Sequence, residues 1–350
     1  MRMLSTARGI ILVSFVVGVL ANAAFAQNSV SLAKPAARNV AGPTWAIVIH
    51  GGAGSVPPEA EQDKYNKSLE AHLRLGQKVL AEGGTALDAC ERVMRAFEED
   101  PLFNVGKGAI YTGDGTHSLD ASIMDGKNLR LGAVAGVRTV KHPVTLARLV
   151  MEKTPHVLLI REGAEAFSEK MGFEPVPNTY FDTPHQLRDY EQWKEAQAQG
   201  REVPHEGGGT AGCVCLDQHG NLAACTSTGG LLGVMKGRVG DSPICGAGTY
   251  ANNRTCAVSG TGTGEEFIRH NVAHTISALI QYKGLTPQQA ADEVVFKTLR
   301  PEDGGVIVVG RGGEIAMAYN TTGMFRGAAD STGRFEYGVT KDLVRKDVAR

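Results

Sequence analysis

The sequence predicts an α+β fold in which two stacked sheets are covered by helices. Segments with strand character lie in the middle of the chain, and segments with helical periodicity precede and follow them. Sheets and helices must bury their apolar faces against other elements, so this order favours sheets packed together with helices outside. Of 350 residues, 42% are hydrophobic and the formal net charge is −1. The chain can therefore form a large core, and its charge gives no reason to expect a nucleic acid or an anionic membrane as partner.

Apolar periodicity predicts the individual elements in order. Helices are expected where apolar residues recur every three to four positions, at residues 63–80, 85–97, 144–151, 162–171 and 265–282. Strands are expected at short apolar runs, at residues 46–50, 109–111, 129–137, 306–309 and 314–319. A further hairpin turns at residues 220–221. Thr286 and Gln289 have the spacing of a capping box, which opens one more helix.

The N-terminal residues predict a secretory signal peptide. Arginines flank the start, residues 9–20 are apolar, and residues 24–26 (Ala-Phe-Ala) form a small-residue cleavage site. The apolar run is too short for a good membrane span, although an uncleaved anchor is the alternative. We therefore expect residues 1–26 to be removed, Gln27 to become the mature N-terminus, and the protein to be secreted or periplasmic.

Six cysteines allow more than one interpretation. An oxidising compartment permits disulfides, and the sequence leaves undecided whether Cys245 and Cys256 form one. Cys213 and Cys215 alternate along a strand and share one face, which favours small buried hydrophobic residues. No Cys-x-x-Cys spacing occurs and no histidine lies at zinc-finger distance, so we expect no metal site.

A threonine that follows three glycines is the most informative feature. Gly209 leaves its own carbonyl unshielded, so the Thr210 hydroxyl can attack the peptide bond between them. Cleavage would make Thr210 a new N-terminus with a nucleophilic hydroxyl and a free α-amine, whose pKa of about 8 suits a general base. The polar residues 184–209 predict a solvated, mobile connector that lets the new chain end move away. Taken alone, Gly-Thr favours an ordinary glycine-rich hinge.

Five short motifs, taken together in their order along the chain, favour a catalytic threonine over a hinge. They are Ile-His-Gly-Gly-Ala-Gly at 49–54, Pro-Leu-Phe-Asn at 101–104, Gly-Gly-Gly-Thr at 207–210, Gly-Arg-Val-Gly-Asp-Ser-Pro at 237–243 and Thr-Gly-Thr-Gly-Glu at 261–265. With them, the chain from about Trp45 to about Tyr337 strongly resembles the plant-type L-asparaginase/isoaspartyl peptidase family of N-terminal-nucleophile hydrolases. The motif at 49–54 is interpreted as a tight turn near the site.

The resemblance implies an architecture and an assembly. The family has a four-layer αββα sandwich and cleaves itself at the position of Gly209 and Thr210. We therefore expect an α subunit of residues 27–209 and a β subunit of residues 210–350. Both would form one catalytic domain, and two such units would pair into an (αβ)₂ heterotetramer.

The resemblance also implies the site residues. Thr210 is the candidate nucleophile, Thr228 contacts its hydroxyl, and Thr261 and Gly262 form the oxyanion site, with Asn104 as a supporting residue. Aspartyl substrates carry an α-carboxylate and an α-ammonium, so the site needs a cation and an anion close together. The expected substrate-binding residues are Arg238, Val239, Gly240, Asp241, Thr261, Gly262, Thr263 and Gly264.

Simpler interpretations exist for each motif. Threonine is a common strand residue, which would explain Thr228. Arg238 and Asp241 would form an ordinary surface ion pair. Residues 261–264 match neither Gly-x-Gly-x-x-Gly nor a P-loop, so a nucleotide site is not expected. Beside Thr210 and the other motifs, the catalytic interpretation prevails.

The implied activity is hydrolysis of L-asparagine and of isoaspartyl (β-aspartyl) dipeptides without an organic cofactor. The family also holds a structural sodium ion, here near residues 97–107, but Val105 and Lys107 differ from the commoner residues and sodium stays open. A glycosylasparaginase is one alternative, although Gly229 and Thr263 replace the asparagines typical of that branch. An unprocessed, non-catalytic binding protein is another.

Overall fold

The computed structural model describes residues 42–201 and 209–346, which belong to one compact unit of the chain, Arg38–Arg350. The predicted signal peptide, residues 1–26, lies outside the described residues, as do residues 202–208 of the predicted connector. Within the described ranges, no helix combines the length and the apolar character that a bilayer crossing requires.

Helices and strands both contribute to the fold, which confirms its mixed character. The helices are α1 (Glu59–Ala81), α2 (Ala86–Glu99), α3 (Pro143–Lys153), α4 (Arg161–Lys170), α5 (Pro184–Ala198), α6 (Gly264–His270), α7 (Val272–Lys283) and α8 (Pro287–Glu293). The strands are β1 (Ala46–Gly54), β2 (Leu119–Asp125), β3 (Arg130–Val137), β4 (Leu158–Ile160), β5 (Ala211–Leu216), β6 (Leu222–Thr228), β7 (Thr249–Ala251), β8 (Cys256–Gly262), β9 (Gly304–Gly310), β10 (Ile315–Tyr319), β11 (Gly323–Asp330), β12 (Phe335–Gly338) and β13 (Val344–Arg345).

The described strands form two sheets. The larger has nine strands in the order β13-β12-β11-β1-β5-β6-β2-β3-β4, and the smaller has four in the order β10-β9-β8-β7. Strand β5, which follows Thr210, pairs with β1 on one side and with β6 on the other. The centre of the larger sheet therefore joins strands from before and after the proposed cleavage point.

Three apolar clusters hold these elements together. Ile47 and Ile49 of β1 face helices α1 and α2, whereas Ala46 and Val48 of the same strand face the smaller sheet. This alternation is the two-residue period of a strand buried on both faces. The third cluster lies between the smaller sheet and helices α7 and α8, and Val258 belongs to it.

Most of the predicted elements are present. The predicted helices at 63–80, 85–97, 144–151 and 162–171 correspond to α1 to α4. The capping box is confirmed: Thr286 Oγ1 accepts from the Gln289 amide, and the Gln289 side chain accepts from the Thr286 amide. Both predicted hairpins are also present, as β5–β6 and β9–β10.

Two predicted elements are wrong because loop contacts replace regular pairing. Residues 109–111 form no strand, since Ile110 N–H donates to Asn104 Oδ1 and the Tyr111 carbonyl accepts from Gly233. The predicted helix at 265–282 is broken at Asn271, which has φ +48°. There the amides of residues 273 and 274 donate to the loop at residues 246–247. Strands β2, β4, β7, β8 and β11 to β13 were not predicted.

The first half of the predicted connector is a helix. Thr183 caps α5 by accepting a hydrogen bond from the Gln186 amide, and Pro184 occupies the first helical position, where proline fits. Tyr190 stacks on Tyr111 at 4.9 Å between ring centroids, and Trp193 stacks on Tyr190 at 5.7 Å. These aromatic contacts stabilise a helix whose polar composition predicts a solvated segment.

All six cysteines lie in the described residues, and none forms a disulfide there. Cys245 is exposed and Cys256 is buried, so the bridge considered between them is absent. Cys90, Cys213 and Cys215 bring their Sγ atoms within 4.8 Å of one another in the core. Burial raises the pKa of Cys90 to about 11, and it also raises the pKa values of Cys213 and Cys215 well above the usual range. The three cysteines belong to an apolar core cluster, where they pack as small hydrophobic residues.

Candidate active site

Thr210 lies where three strands of the larger sheet meet. It immediately precedes β5, whose Ala211 pairs with Ser227 of β6 and whose Gly212 pairs with His50 of β1. The pairing therefore brings the end of β6, with Thr228, beside the start of β5. The approach of two distant threonines follows from hairpin register alone.

Every polar group of Thr210 has a partner in the site. The buried hydroxyl donates to Thr228 Oγ1 at 3.2 Å. The amide N–H donates to Thr261 Oγ1 at 3.3 Å, and the carbonyl oxygen accepts from His50 Nδ1 at 2.8 Å. The three sequence-predicted threonines 210, 228 and 261 are therefore brought together.

Thr261 and Gly262 lie at the end of β8, beside the Thr210 amide. Thr261 Oγ1 also accepts from the Ala53 amide at 3.3 Å. Gly262 has φ +147°, and a Cβ there would overlap the carbonyl oxygen of Asp303, so only glycine fits. The Thr263 amide already donates to the Asp303 carbonyl at 2.7 Å, which leaves Thr261 and Gly262 as the candidates for holding an oxyanion.

Asn104 fastens the turn that follows Thr228. Its Nδ2 donates to the Gly230 carbonyl at 2.8 Å, and its Oδ1 accepts from the Ile110 amide at 2.9 Å. The Gly230 amide in turn donates to Thr228 Oγ1 at 3.0 Å. Asn104 thus acts on Thr228 through the turn rather than on Thr210 directly.

Arg238 is held by a carboxylate that was not assigned to the site. Its Nε and Nη2 atoms each donate to Glu265 at 3.0 Å, in the two-pronged geometry that suits arginine and carboxylate. A Cβ on Gly240 would lie 2.7 Å from Arg238 Nη1, and one on Gly264 would lie 2.7 Å from Nη2. The two glycines therefore leave the guanidinium room to fold over the loop.

Asp241 is buried beside the same glycine. Its Oδ1 lies 2.8 Å from the position of a Gly264 Cβ, so Arg238 and Asp241 both border this space. Its Oδ2 has no hydrogen-bond partner among the described residues. Burial raises the pKa of Asp241 to about 7, while the charge of Arg238 opposes that rise. A cation bound beside it would favour the ionised form.

His50 is a site residue that sequence reasoning reduced to part of a turn. A carbonyl oxygen can only accept, so Nδ1 carries the proton that it donates to Thr210. Nε2 is then an acceptor, and Ser259 Oγ lies 2.9 Å from it. Burial lowers the pKa of His50 to about 3, so the ring is neutral. It positions Thr210 and carries no charge.

A cleft of about 1070 Å³ is bordered by Arg238, Gly262 and Glu265. It is lined by Ala53, Gly54, Ser55, Leu231, Gly233, Val234, Met235, Lys236, Gly237, Arg238, Gly262, Thr263, Glu265, Glu302, Asp303 and Thr321. Val239 lies apart from this cleft and lines a neighbouring cavity of about 60 Å³ together with Arg238. The large cleft can admit a small amino-acid derivative or a dipeptide beside Arg238 and Gly262.

Backbone carbonyl oxygens of the loop at residues 97–107 lie close to the short helical turn Gly106–Gly108. Gly106 has φ +49°, and its missing Cβ would overlap the Glu98 carbonyl oxygen. The Gly108 Cβ position is bordered in the same way by the carbonyl oxygens of Phe103 and Pro101. Carbonyl oxygens are the donors that hard cations prefer, so the loop fits the donor chemistry of a sodium ion.

Comparison with known proteins identifies relatives of this chain. The sequence profile of the family described as Asparaginase matches residues 43–339. The isoaspartyl peptidases of Salmonella typhimurium and Escherichia coli are each 47% identical over 295 residues, covering 80% of this chain and 93% and 91% of the relatives. The isoaspartyl peptidase/L-asparaginase of Homo sapiens is 38% identical over 298 residues, covering 85% of this chain and 96% of the relative.

Proposed function

The chain belongs to the asparaginase family, and on that premise we propose that it hydrolyses the side-chain amide of L-asparagine and the β-peptide bond of isoaspartyl dipeptides. The names of the relatives support this activity. The observation that carries it is the buried Thr210 hydroxyl, which donates a hydrogen bond to Thr228 and belongs to the residue that follows Gly209.

Self-cleavage at Gly209 and Thr210 would generate the active enzyme. The Thr210 Oγ attacks the Gly209 carbonyl carbon, its proton passes to the departing Thr210 nitrogen, and the peptide becomes an ester. Water then hydrolyses the ester, which leaves a Gly209 carboxylate and a free Thr210 α-amine. The hydrogen bond from Thr210 to Thr228 supports this step because it orients the attacking oxygen.

The same hydroxyl would then act on the substrate. The α-amine of Thr210 accepts the hydroxyl proton while Oγ attacks the side-chain carbonyl carbon. Thr261 and the Gly262 amide would stabilise the oxyanion. The position of Thr261 supports this role, because its Oγ1 lies 3.3 Å from the nitrogen of the nucleophilic residue Thr210. Ammonia or an amino acid leaves with the proton, and water hydrolyses the acyl-enzyme to release L-aspartate.

Substrate recognition would use the opposite charges at Gly264. Arg238 would bind the α-carboxylate and Asp241 the α-ammonium, since both border the space that Gly264 leaves open. Within the part of the chain that the structure describes, Oδ2 of the buried Asp241 has no hydrogen-bond partner, which supports a need for a positive ligand. An ammonium group there would offset the cost of burying a carboxylate.

The proposed subunits would stay together after cleavage. The larger sheet interleaves β1 to β4 from residues 27–209 with β5, β6 and β11 to β13 from residues 210–350. The αββα sandwich assignment is supported by the three apolar clusters. Pairing into (αβ)₂ is supported by Val157, Leu158 and Ile160, which are exposed at or beside the edge strand β4. Removal of residues 1–26 and export also remain part of this proposal.

The chemistry needs no organic cofactor, and sodium would be structural. Backbone carbonyl oxygens of residues 97–107 would hold it, away from the reacting atoms. A thermal midpoint that is higher in sodium chloride than in choline chloride at equal ionic strength would support the ion. Equal midpoints would contradict it.

One processed preparation tests the proposed activity. We expect kcat/KM on β-aspartyl-leucine and L-asparagine to exceed that on N-acetylglucosaminyl-asparagine. A highest value on the glycosylated substrate would identify a glycosylasparaginase instead. A single unprocessed chain without activity on any of the three would indicate a binding protein.

A further inference from the structure

A buried carboxylate lies between the Thr228 strand and the Arg238 loop. Asp120 of β2 is only 4% exposed, and it stands directly opposite Thr228 in the pairing of β2 with β6. The pairing of β2 with β3 shifts register between Leu119 and Ala121, which is where Asp120 lies. A bulge of this kind changes the direction of a side chain, so Asp120 can reach beyond its own ladder.

Both carboxylate oxygens of Asp120 are used. Oδ1 accepts from the Gly136 amide of β3 at 2.8 Å. Oδ2 accepts from the Gly240 amide at 3.4 Å, and Gly240 lies between the two residues proposed to bind substrate. One side chain therefore connects the core of the larger sheet to the middle of the substrate loop.

The charge of Asp120 also acts on Arg238. Burial raises the pKa of Asp120 to about 6, and the positive charge of Arg238 opposes this rise. Arg238 is thus attracted by Asp120 within the fold and by Glu265 on its Nε and Nη2 edge. A buried carboxylate is costly unless it is hydrogen-bonded and paired, so this arrangement favours a fixed position for the loop.

We propose that Asp120 is a positioning residue that holds the Gly240 amide so that Arg238 and Asp241 meet the substrate's α-carboxylate and α-ammonium together. Asp120 itself touches no substrate atom in this account. The inference rests on the proposed function, because it concerns the same aspartyl substrate. Displacements of about 1 Å in such a loop are enough to cost substantial affinity or rate.

The test compares variants of the mature, self-cleaved enzyme on β-aspartyl-leucine. Asp120→Asn keeps the volume but leaves one oxygen acceptor and no charge, while Asp120→Ala removes both anchors. Asp125→Asn is the matched control, since Asp125 ends the same strand and, within residues 42–201 and 209–346, its side chain accepts only from the local Lys127 amide at 2.9 Å. Intact mass establishes that each variant is cleaved, and calorimetry measures the Kd of the product L-aspartate.

We expect Asp120→Asn to raise KM about tenfold with kcat within about threefold of wild type, because one hydrogen bond to a charged group is lost. Asp120→Ala should raise KM further, and the Kd of L-aspartate should rise in parallel. Asp125→Asn should match wild type.

If the wild type is active and cleaved Asp120→Asn has an unchanged KM, the inference is overturned while the proposed function stands. A lower kcat at unchanged KM would also overturn the inference, because it would place Asp120 in the chemistry of Thr228. Circular dichroism of Asp120→Asn excludes a folding defect as the cause of any change. A wild-type enzyme that hydrolyses no isoaspartyl dipeptide would defeat the proposed function, and the inference with it.

Discussion

The backbones of Gly52 and Gly209 lie in direct contact, so neither residue can carry a side chain. A Cβ on Gly52 would lie 2.6 Å from the Gly209 Cα, and one on Gly209 would overlap the Gly52 Cα and lie 2.8 Å from the Gly51 carbonyl oxygen. Because Gly209 carries the carbonyl that Thr210 would attack, this contact fixes the geometry of the proposed cleavage site.

Gly209→Ala should therefore block or greatly slow self-cleavage. The added methyl group pushes the scissile carbonyl away from Thr210, so the purified variant should run as one full-length chain on a denaturing gel. Gly163→Ala is the control, because a Cβ there meets no atom within 4 Å. It should be cleaved like wild type. Complete cleavage of Gly209→Ala would refute the role of this contact.

Thr228→Val should lower kcat by at least about 100-fold with little change in KM. Valine keeps the shape but cannot accept the hydrogen bond from the Thr210 hydroxyl, which has a length of 3.2 Å. Thr228→Ser keeps the acceptor and should retain most of the rate. Steady-state kinetics on cleaved protein make the comparison, and equal kcat in the valine and serine variants would remove Thr228 from the reaction.

Arg238→Ala should raise KM by about 30-fold or more while self-cleavage proceeds. Loss of a charge-assisted pair in a closed site costs about 2–4 kcal/mol. Arg238→Lys should not restore binding, because lysine cannot form two parallel hydrogen bonds. Arg254→Ala, at an exposed arginine outside the cleft, serves as control. Wild-type kinetics in processed Arg238→Ala would show that substrate binds elsewhere.

His50 should make the fold less stable in acid. Its pKa is about 3 in the fold and about 6.5 when exposed, so between these pH values only the unfolded state holds the proton. The contribution of neutral His50 to the free energy of unfolding is therefore fully present above pH 6.5. Between pH 6.5 and pH 3 it falls by about 1.4 kcal/mol for each pH unit.

Urea unfolding of the single-chain Thr210→Ala precursor tests this dependence. The difference in unfolding free energy between that precursor and the same chain with His50→Gln isolates the His50 contribution. The difference should shrink from pH 6.5 to pH 4. A difference that is constant over this range would mean that His50 is not buried as a neutral ring.

One thiol per chain should react with iodoacetamide in the native protein, and all six in guanidinium. Cys245 is exposed, whereas the other five are buried. Peptide mapping identifies the labelled residue. An unreactive Cys245 would indicate the disulfide with Cys256 that the structure lacks.

Motifs with special backbone geometry could be predicted from the sequence. Thr210 stands out in the sequence because three glycines precede it, but the site roles of Thr210, Arg238 and Thr261 were expected from the family resemblance that the glycine-containing motifs carry. The approach of Thr210 and Thr228 followed from hairpin register, since β5 begins after Thr210 and β6 ends at Thr228.

Contacts between distant segments could not be predicted in this way. His50 and Thr210 are 160 positions apart, and Asp120 and Gly240 are 120 apart. A charged residue within the apolar run of β2 was a signal for Asp120, but its partners lie on other elements. The break at Asn271 and the aromatic packing of α5 likewise depend on loops that meet only in the folded chain.

The central claim is that Thr210 becomes the N-terminus of an active enzyme by self-cleavage. N-terminal sequencing with intact mass of the purified protein tests it most directly, with Thr210→Ala prepared in parallel. We predict a wild-type chain that begins at Thr210 and ends at Arg350, and an uncleaved, inactive variant. Wild-type protein that is active but contains no chain beginning at Thr210 would contradict the account.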